Sequence, residues 1–163
     1  MKKKILTLTL AAVLMLTLVF SLTSCGSAKT FTIDDFSIEL NSMYFDLTSA
    51  VPVGENVETF AAYISLIDGL IVIPTKAPNP NNEFSLYRYV NEYARQMGGS
   101  ISEKNGVPTV TYSQESEGTS FSVEAYIYED DNAIWVVAFM ALNGDISEKS
   151  DLIAGYVDTI VIE

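Results

Sequence analysis

Residues 121–142 read FSVEAYIYEDDNAIWVVAFMAL, and this stretch decides the fold. Residues 121–128 alternate apolar and polar side chains, which is typical of a half-buried strand. Residues 129–132 are polar and acidic and turn the chain. Residues 133–142 are then almost continuously apolar, which predicts a central strand covered on both faces. We therefore expect an antiparallel sheet with this last strand near its middle.

Turn dipeptides upstream predict two hairpins, because Asp-Gly and Asn-Gly supply the positive φ values of a tight two-residue turn. Asp68-Gly69 lies inside residues 62–74, and Asn105-Gly106 lies inside residues 101–113. Residues 36–40, FSIEL, alternate as a further half-buried strand. The sheet is therefore expected to be built mainly from antiparallel neighbours.

Two segments have helical spacing. Residues 84–97 place five apolar or aromatic side chains on one face, at spacings of three and four, and Gly98-Gly99 ends the pattern. Residues 147–156 predict a final helix, and residues 157–162 a short closing strand. The predicted fold is a single α+β domain, a mostly antiparallel sheet with two main helices packed on it.

This order of elements resembles the PsbP-like fold, which is shared by the photosystem II extrinsic protein, the Ran-release factor and many small bacterial lipoproteins. The resemblance covers roughly residues 31–163. Its landmarks are FSIEL near the start, the first helix, the meander that ends at residue 142, and the closing YVDTIVI of residues 156–162. Many members have a Leu-Pro pair after the first strand, where this chain has Leu40-Asn41. The resemblance implies a binding or scaffold role and transfers no functional residue.

The N-terminal residues 1–24 have the layout of a lipoprotein signal peptide. Three lysines precede an apolar run that is short for a membrane span, and Leu22-Thr23-Ser24-Cys25 resembles the lipobox of bacterial lipoproteins. The resemblance implies a diacylglyceryl thioether on Cys25 and cleavage between Ser24 and Cys25. Two acyl chains hold a protein stably on a bilayer, where one chain binds only marginally.

This interpretation sets the predicted organisation and location. Residues 25–33 comprise the lipidated cysteine and a short tether, and residues 34–163 form the α+β domain. The protein is expected on the extracytoplasmic face of a bacterial cell membrane or outer membrane, held by its lipid. The alternatives are an uncleaved signal anchor and an inert cysteine in an ordinary signal peptide.

Composition excludes several chemistries. The chain has no histidine and a single cysteine, Cys25, so Ser-His-Asp and Cys-His triads, His- or Cys-based zinc sites, disulfides and haem are excluded. No cofactor and no metal is expected beyond the covalent lipid.

Removal of residues 1–24 takes away three lysines and no acid, so the net charge of −12 becomes −15. Such a surface repels nucleic acid, which we exclude as a partner.

Three tyrosines form the candidate ligand-binding site. The hairpin order suggests that Tyr112, Tyr126 and Tyr128 share one sheet face. Aromatic faces bind sugars, peptides and lipidic groups by stacking and apolar contact. The alternative is that these rings pack under a helix with their hydroxyls at its rim.

Two acidic clusters are further candidate sites. Glu115, Glu117 and Glu124 could supply the carboxylate pair of a glycoside hydrolase, but that pair needs a cleft that the sequence does not predict, and we expect a solvated turn and strand face. Residues 129–132, EDDN, offer oxygen ligands, but a four-residue turn supplies only part of a calcium shell. We expect a charged hairpin turn there.

Arg88 and Arg95 lie seven residues apart on a common side of the predicted helix, with Glu92 between them. Spacings of four and three allow both arginines to pair with this glutamate. We interpret the three residues as a surface network, with contact to an anion or a partner as the alternative.

The sequence thus predicts a non-enzymatic, lipid-anchored binding or scaffold domain of the bacterial envelope. Its partner would be another envelope protein or an extracellular ligand. Two other functions stay open: a carboxylate-dependent hydrolase of cell-wall or environmental glycan, and a small-ligand receptor that uses the tyrosine face. No catalytic residue is assigned.

Overall fold

Strands dominate the computed structural model, which describes residues 27–50, 59–116, 119–142 and 144–163. In chain order the described strands are β1 (Ala28–Ile33), β2 (Phe36–Asn41), β3 (Phe45–Asp46), β4 (Thr59–Phe60), β5 (Tyr63–Ser65), β6 (Leu70–Pro78), β7 (Ser100–Lys104), β8 (Val107–Ser116), β9 (Thr119–Glu129), β10 (Ala133–Ala141) and β11 (Val161–Ile162). The α-helices are α1 (Leu86–Met97) and α2 (Ser150–Val157). None of the described helices has the length and hydrophobicity needed to span a bilayer.

The strands form two antiparallel sheets. The large sheet has the order β3-β5-β6-β10-β9-β8-β7, with β4 also paired to β6, and the small sheet has the order β1-β2-β11. The predicted central strand is β10, which pairs with β6 on one side and β9 on the other. The predicted α+β class, with a mostly antiparallel sheet and two helices, is therefore confirmed.

Side chains of β10 alternate between two hydrophobic cores, so the strand is covered on both faces as predicted. Trp135 and Phe139 point into a core that the small sheet and α2 close. Ile134 and Val136 point into a second core beneath α1. Phe36 of the small sheet stacks on Trp135, with ring centroids 5.3 Å apart. The domain therefore has three layers: α1, the large sheet, and the small sheet with α2.

The two hairpins differ in their turns. Lys104 pairs with Val107, so Asn105-Gly106 forms the predicted two-residue turn, with both φ values positive. Ser65 pairs with Leu70, so the other turn contains four residues, 66–69, and the predicted two-residue turn is wrong there. The Ser65 hydroxyl accepts the Asp68 N–H at 3.1 Å and stabilises the wider loop.

The tether predicted over residues 25–33 is shorter than expected. Residues 28–33 form β1, and Ala28 pairs with Asn41 of β2. Phe31 is buried in the core, so burial of apolar surface recruits this segment into the sheet. The folded domain therefore includes Ala28, and the predicted boundary at residue 34 is corrected. Ser24, Cys25 and the predicted signal peptide lie outside the described residues.

The turn between α1 and β7 leads to a matched pair of glycine substitutions. A Cβ at Gly99 would lie 2.8 Å from Val110 Cγ1 and 2.9 Å from the Thr111 carbonyl, whereas nothing lies within 4 Å of the same atom at Gly155 in α2. We expect Gly99→Ala to lower the free energy of unfolding by about 1–3 kcal/mol through overpacking. Gly155→Ala should raise it by about 0.5–1 kcal/mol, because alanine favours a helix.

Urea unfolding of residues 27–163, followed by circular dichroism, measures both changes. Equal stability of the two variants would contradict the close approach of Gly99 to β8.

Candidate functional site

A groove of about 640 Å³ lies between α1 and the adjoining ends of β6 and β10. Its floor and walls are mainly apolar and aromatic, and its rim on α1 is polar. The lining includes Ala77, Pro78, Phe84, Tyr87, Tyr89 and Ile134, together with Asn79, Arg88, Asn91, Glu92 and Arg95. This volume is in the range of protein sites that hold small ligands or side chains of a partner. We call it the α1 groove.

Buried Asn79 fixes the loop that leads from β6 into the groove. Its side-chain amide donates to the Phe84 carbonyl at 2.8 Å, and its amide oxygen accepts the Phe84 N–H at 3.0 Å. Its backbone N–H also donates to the Asn132 carbonyl at 2.7 Å, which joins this loop to the β9–β10 turn. Because one buried side chain satisfies both backbone groups of Phe84, this aromatic ring is held at the mouth of the groove.

Helix α1 is positioned by its two ends. Ser85 is the N-cap, and its side chain accepts the Arg88 N–H. Gly98 ends the helix in the left-handed conformation with φ 65°. Buried Val90 and Ala94 fix the helix to the sheet, and the opposite face therefore presents its arginines and Tyr87 to solvent.

The polar rim of the groove holds the chain's two arginines in different environments. Arg95 donates twice to Glu92, at 3.0 and 2.5 Å. These bonds, with one from Gln96, lower the pKa of Glu92 to about 2, and the same carboxylate raises the pKa of Arg95. The Arg88 guanidinium lies 4.9 Å from the centre of the Phe84 ring. No described carboxylate lies within 4.0 Å of it.

The predicted helix surface network is therefore half correct. Arg95 pairs with Glu92 as the spacing indicated, whereas Arg88 turns to Phe84 at the helix start. A guanidinium that lies over an aromatic ring keeps N–H groups available in its own plane for an acceptor. The Arg88 charge also helps to lower the pKa of Glu92, but Arg88 forms no salt bridge with a described carboxylate and is therefore the cation of this groove that can donate to an external carboxylate.

Tyr87 forms a ridge between two depressions. It is 80% exposed, and together with Asn91 it also lines a second groove of about 450 Å³ toward β7 and β8. Leu86, Val90 and Ile101 contribute the apolar lining of this second groove. An exposed ring between two apolar grooves is a typical anchor of a protein interface.

The three predicted tyrosines do not share a face. Tyr112 pairs with Val123, so it packs beneath α1, where its hydroxyl is 3.0 Å from that of Tyr93. Tyr126 and Tyr128 point into the core on the opposite side of the sheet. The strand period of two decides this arrangement, because Val123 and Tyr126 have opposite parity along β9. Burial raises the pKa of all three hydroxyls, so they stay neutral.

The predicted carboxylate cluster is also dispersed. Glu124 is buried, with its carboxylate bound by Lys104 and by the Tyr126 hydroxyl, so it is no part of a solvated strand face. Glu115 is exposed and pairs with Ser120, four residues along β9 from Glu124, which separates the two backbones by roughly 13 Å. Glu117 lies outside the described residues. The described pair thus lacks the opposed geometry of a glycoside hydrolase.

The acidic turn at residues 129–132 has a structural role. One Asp130 oxygen accepts the N–H groups of Asn132 and Ala133, both at 2.7 Å. The other accepts the Trp135 indole N–H at 2.9 Å. Within the described part of the chain, no group of three or more potential Asp, Glu or Cys ligands is placed to hold a metal. Asp130 therefore closes the β9–β10 hairpin, as the charged-turn interpretation predicts.

Helical spacing predicts the helix and the common side of both arginines, but the sequence does not predict the α1 groove itself. The groove depends on how far the ends of β6 and β10 extend past α1, and no local pattern encodes that distance. A partial signal was present in Ala77-Pro78-Asn79-Pro80, a breaker cluster directly before the helix. Its prolines limit backbone pairing, while Asn79 and Phe84 form the mouth of the groove.

Comparison with known proteins gives structural matches. Neither a family model nor a curated protein sequence matches the chain. A crystal structure from Bacteroides thetaiotaomicron superimposes with a TM-score of 0.58 at 12% identity, over 83% of this chain and 48% of that one. The chain thus spans about half the length of that protein.

The solution structure of cyanobacterial PsbP (CyanoP) from Synechocystis sp. superimposes with a TM-score of 0.56 at 9% identity, over 85% of this chain and 94% of that one. A mutant of the protein Mog1 gives 0.49 at 10% identity, over 83% and 96%. The match to CyanoP extends over nearly the whole of both folds, and it confirms the PsbP-like α+β architecture.

Proposed function

We propose that this chain, a PsbP-like domain preceded by a sequence that resembles a lipobox, is a lipid-anchored, non-enzymatic binding domain of the bacterial envelope. The anchor would be the diacylglyceryl thioether on Cys25. The binding surface would be the α1 groove, and its occupant a segment of another envelope protein that carries an apolar side chain beside a carboxylate. The observation that carries the proposal is an apolar groove flanked by both arginines of the chain.

Charge supports a carboxylate in the occupant. The domain is strongly acidic, yet Arg88 lies at the groove on the Phe84 ring, with no described carboxylate in salt-bridge distance. Its guanidinium already lies over the Phe84 ring before binding, and this contact reduces the side-chain entropy that a bidentate bond to a carboxylate would cost. Arg95, already bound by Glu92, would contribute orientation rather than binding energy.

Shape supports a protein segment over a small metabolite. Two grooves flank exposed Tyr87, so the binding surface extends across α1 and is not a closed cavity. A segment that crosses the helix could place one apolar side chain on each side of the Tyr87 ring. Aromatic and arginine side chains at the centre of such a surface usually carry most of the binding energy.

Binding in the α1 groove would involve no catalytic step. Glu92 is held by Arg95 and Glu124 by Lys104, so both carboxylates already have cationic partners. Their positions suit structure rather than proton transfer to a substrate.

The test is photocrosslinking in living cells with the full-length chain. A photoreactive amino acid at position 87 should capture one or two envelope proteins, and the crosslinked segment should contain Asp or Glu beside an apolar residue. Arg88→Glu should abolish capture, and Arg88→Lys should keep part of it. A bidentate charged bond of about 1.5–3 kcal/mol corresponds to an affinity loss of roughly ten- to a hundredfold in Arg88→Ala.

Two controls make the result specific. The same photoreactive group at exposed Val161, in the small sheet, should not capture the same segment. Cys25→Ala should remove the lipid and reduce capture if the partner is membrane-bound. Capture that is identical in Arg88→Glu, or a captured segment without a carboxylate, would exclude the α1 groove as the carboxylate-binding site.

A further inference from the structure

One end of the large sheet carries exposed apolar side chains. In the four-residue turn between β5 and β6, Leu66 is 74% and Ile67 is 71% exposed. Next to it on the edge strand β3, Phe45 is 61% exposed, and Met43 just before this strand is exposed too. We call these four residues the apolar tip. Clustered exposed apolar side chains are typical of contact with a protein or a membrane.

Hydrogen bonds hold the apolar tip in place. Phe45 pairs with Ile64 of β5, which brings β3 against the strand that enters the loop. The far side of the loop is bound to the neighbouring strand of the same sheet, because the N–H of Leu142, directly after β10, donates to the Gly69 carbonyl at 2.9 Å. The exposed side chains therefore belong to a defined surface that needs no refolding to make contact.

The folded domain begins at the same end. Ala28, the first residue of β1, pairs with Asn41. The Asn41 side chain donates to Asp68 Oδ2 at 2.6 Å, and Asp68 directly follows Ile67. One strand pair and one hydrogen bond thus connect the start of β1 to the tip loop.

Only Gly26 and Ser27 separate Ala28 from the predicted lipidated residue, Cys25. At no more than about 3.6 Å per residue, this connection spans at most roughly 11 Å. A domain held so closely has the end that contains Ala28 directed to the bilayer surface.

We propose that the apolar tip enters the interfacial region of the bilayer beside the lipidated Cys25 and so fixes the orientation of the domain. This inference rests on the lipid anchoring in the proposed function. The anchor keeps the tip at the membrane at high effective concentration, so a few apolar side chains are enough to hold a preferred orientation.

The charges around the tip are compatible with this contact. Asp68 is bound by Asn41 and by the Tyr156 hydroxyl, and Asp46 accepts the Thr48 N–H at 2.8 Å. The Lys149 ammonium lies beside the loop, 3.9 Å from the position of a Cβ on Gly69. Because the whole domain is acidic, we expect contact with zwitterionic rather than strongly anionic lipid.

The chain's single cysteine makes the test selective. Once Cys25 carries its lipid, Leu66→Cys creates the one free thiol for a nitroxide spin label. The lipidated, full-length variant is reconstituted into phosphatidylcholine vesicles, and flotation with mass spectrometry of Cys25 verifies the anchor. Accessibility of the label to oxygen, which concentrates in membranes, is then compared with accessibility to a water-soluble nickel chelate. Tyr87→Cys, on equally exposed α1, is the matched control.

In vesicles, we expect the label at Leu66→Cys to be more accessible to oxygen and less accessible to nickel than the same label on a lipid-free Cys25→Ser form in buffer. The Tyr87→Cys label should stay accessible to nickel. The protein could carry its lipid and float with vesicles, yet show equal nickel accessibility for the labels at positions 66 and 87. That result overturns the tip proposal and leaves the anchor intact. Absence of lipid on Cys25 and of flotation overturns the anchor, and the tip proposal with it. Dipolar broadening between position-66 labels without vesicles would assign the tip to a second copy instead.

Discussion

Replacing Trp135 by alanine is expected to lower the free energy of unfolding by about 3–5 kcal/mol, the largest single loss anticipated for this domain. The indole is fully buried in β10, stacks on Phe36 of the small sheet, and donates to Asp130. The Lys76 ammonium lies 5.2 Å from its ring centre. Truncation would thus leave a cavity where the two sheets meet and free a turn carboxylate. Urea unfolding of residues 27–163 followed by circular dichroism measures the loss.

A conservative variant separates the two contributions. Trp135→Phe keeps a ring against Phe36 and removes the indole N–H, so we expect a loss nearer 1–2 kcal/mol, part of it from an unsatisfied Asp130 oxygen. Truncation of exposed Ile101 to alanine serves as the surface control, with little change expected. Should Trp135→Ala prove no less stable than Trp135→Phe, the stacked contact between the sheets would not be the source of stability.

The second large effect is expected at Lys104, whose replacement by methionine would leave the Glu124 carboxylate buried without its cation. Glu124 has a side chain only 2% exposed, and Lys104 is 38% exposed. Removing one partner of a buried ion pair typically costs about 3–5 kcal/mol, and the partial exposure of Lys104 places the expected loss near the lower value, about 3 kcal/mol. Thermal and urea unfolding at neutral pH would record it.

A double substitution distinguishes loss of the ion pair from loss of packing. Lys104→Met combined with Glu124→Met removes both charges, and the double variant should recover much of the stability that Lys104→Met alone loses. Tyr126→Phe, added as a third change, removes the hydroxyl that would otherwise lose its acceptor. Additive losses in the double variant would instead show that the two side chains contribute independently.

The periodicity of apolar and polar side chains predicted the fold, because this pattern can be recognised within a few consecutive residues. The alternation before the acidic turn and the apolar run after it fix β9 and β10, and the amphipathic spacing fixes α1. The turn dipeptides were less reliable. Asn105-Gly106 forms the expected tight turn, whereas at Asp68-Gly69 the buried hydroxyl of Ser65 competes for the backbone and widens the loop.

The candidate site was harder to predict because it depends on register. A difference of one residue in strand pairing places a side chain on the other face of the sheet. Tyr112 lies opposite Val123, and this register puts Tyr112 and Tyr126 on different faces. The sequence likewise did not predict the role of Glu124. Alternation along the strand predicted a polar face for Glu124, whereas in the structure its carboxylate is buried and bound by Lys104. The arginines on α1 were identified because helical spacing is local, but the groove they flank is a product of tertiary packing.

Strand β6 has a geometric consequence for partner choice. It runs from Leu70 beside the apolar tip to Pro78 in the wall of the α1 groove, a length of roughly 26 Å at the rise of an extended strand. If the apolar tip contacts the bilayer, this length sets the approximate scale of the height of the groove above the lipid headgroups. A partner would then have to present its acidic segment within this distance of the same bilayer, which favours neighbours in the membrane over freely diffusing ligands.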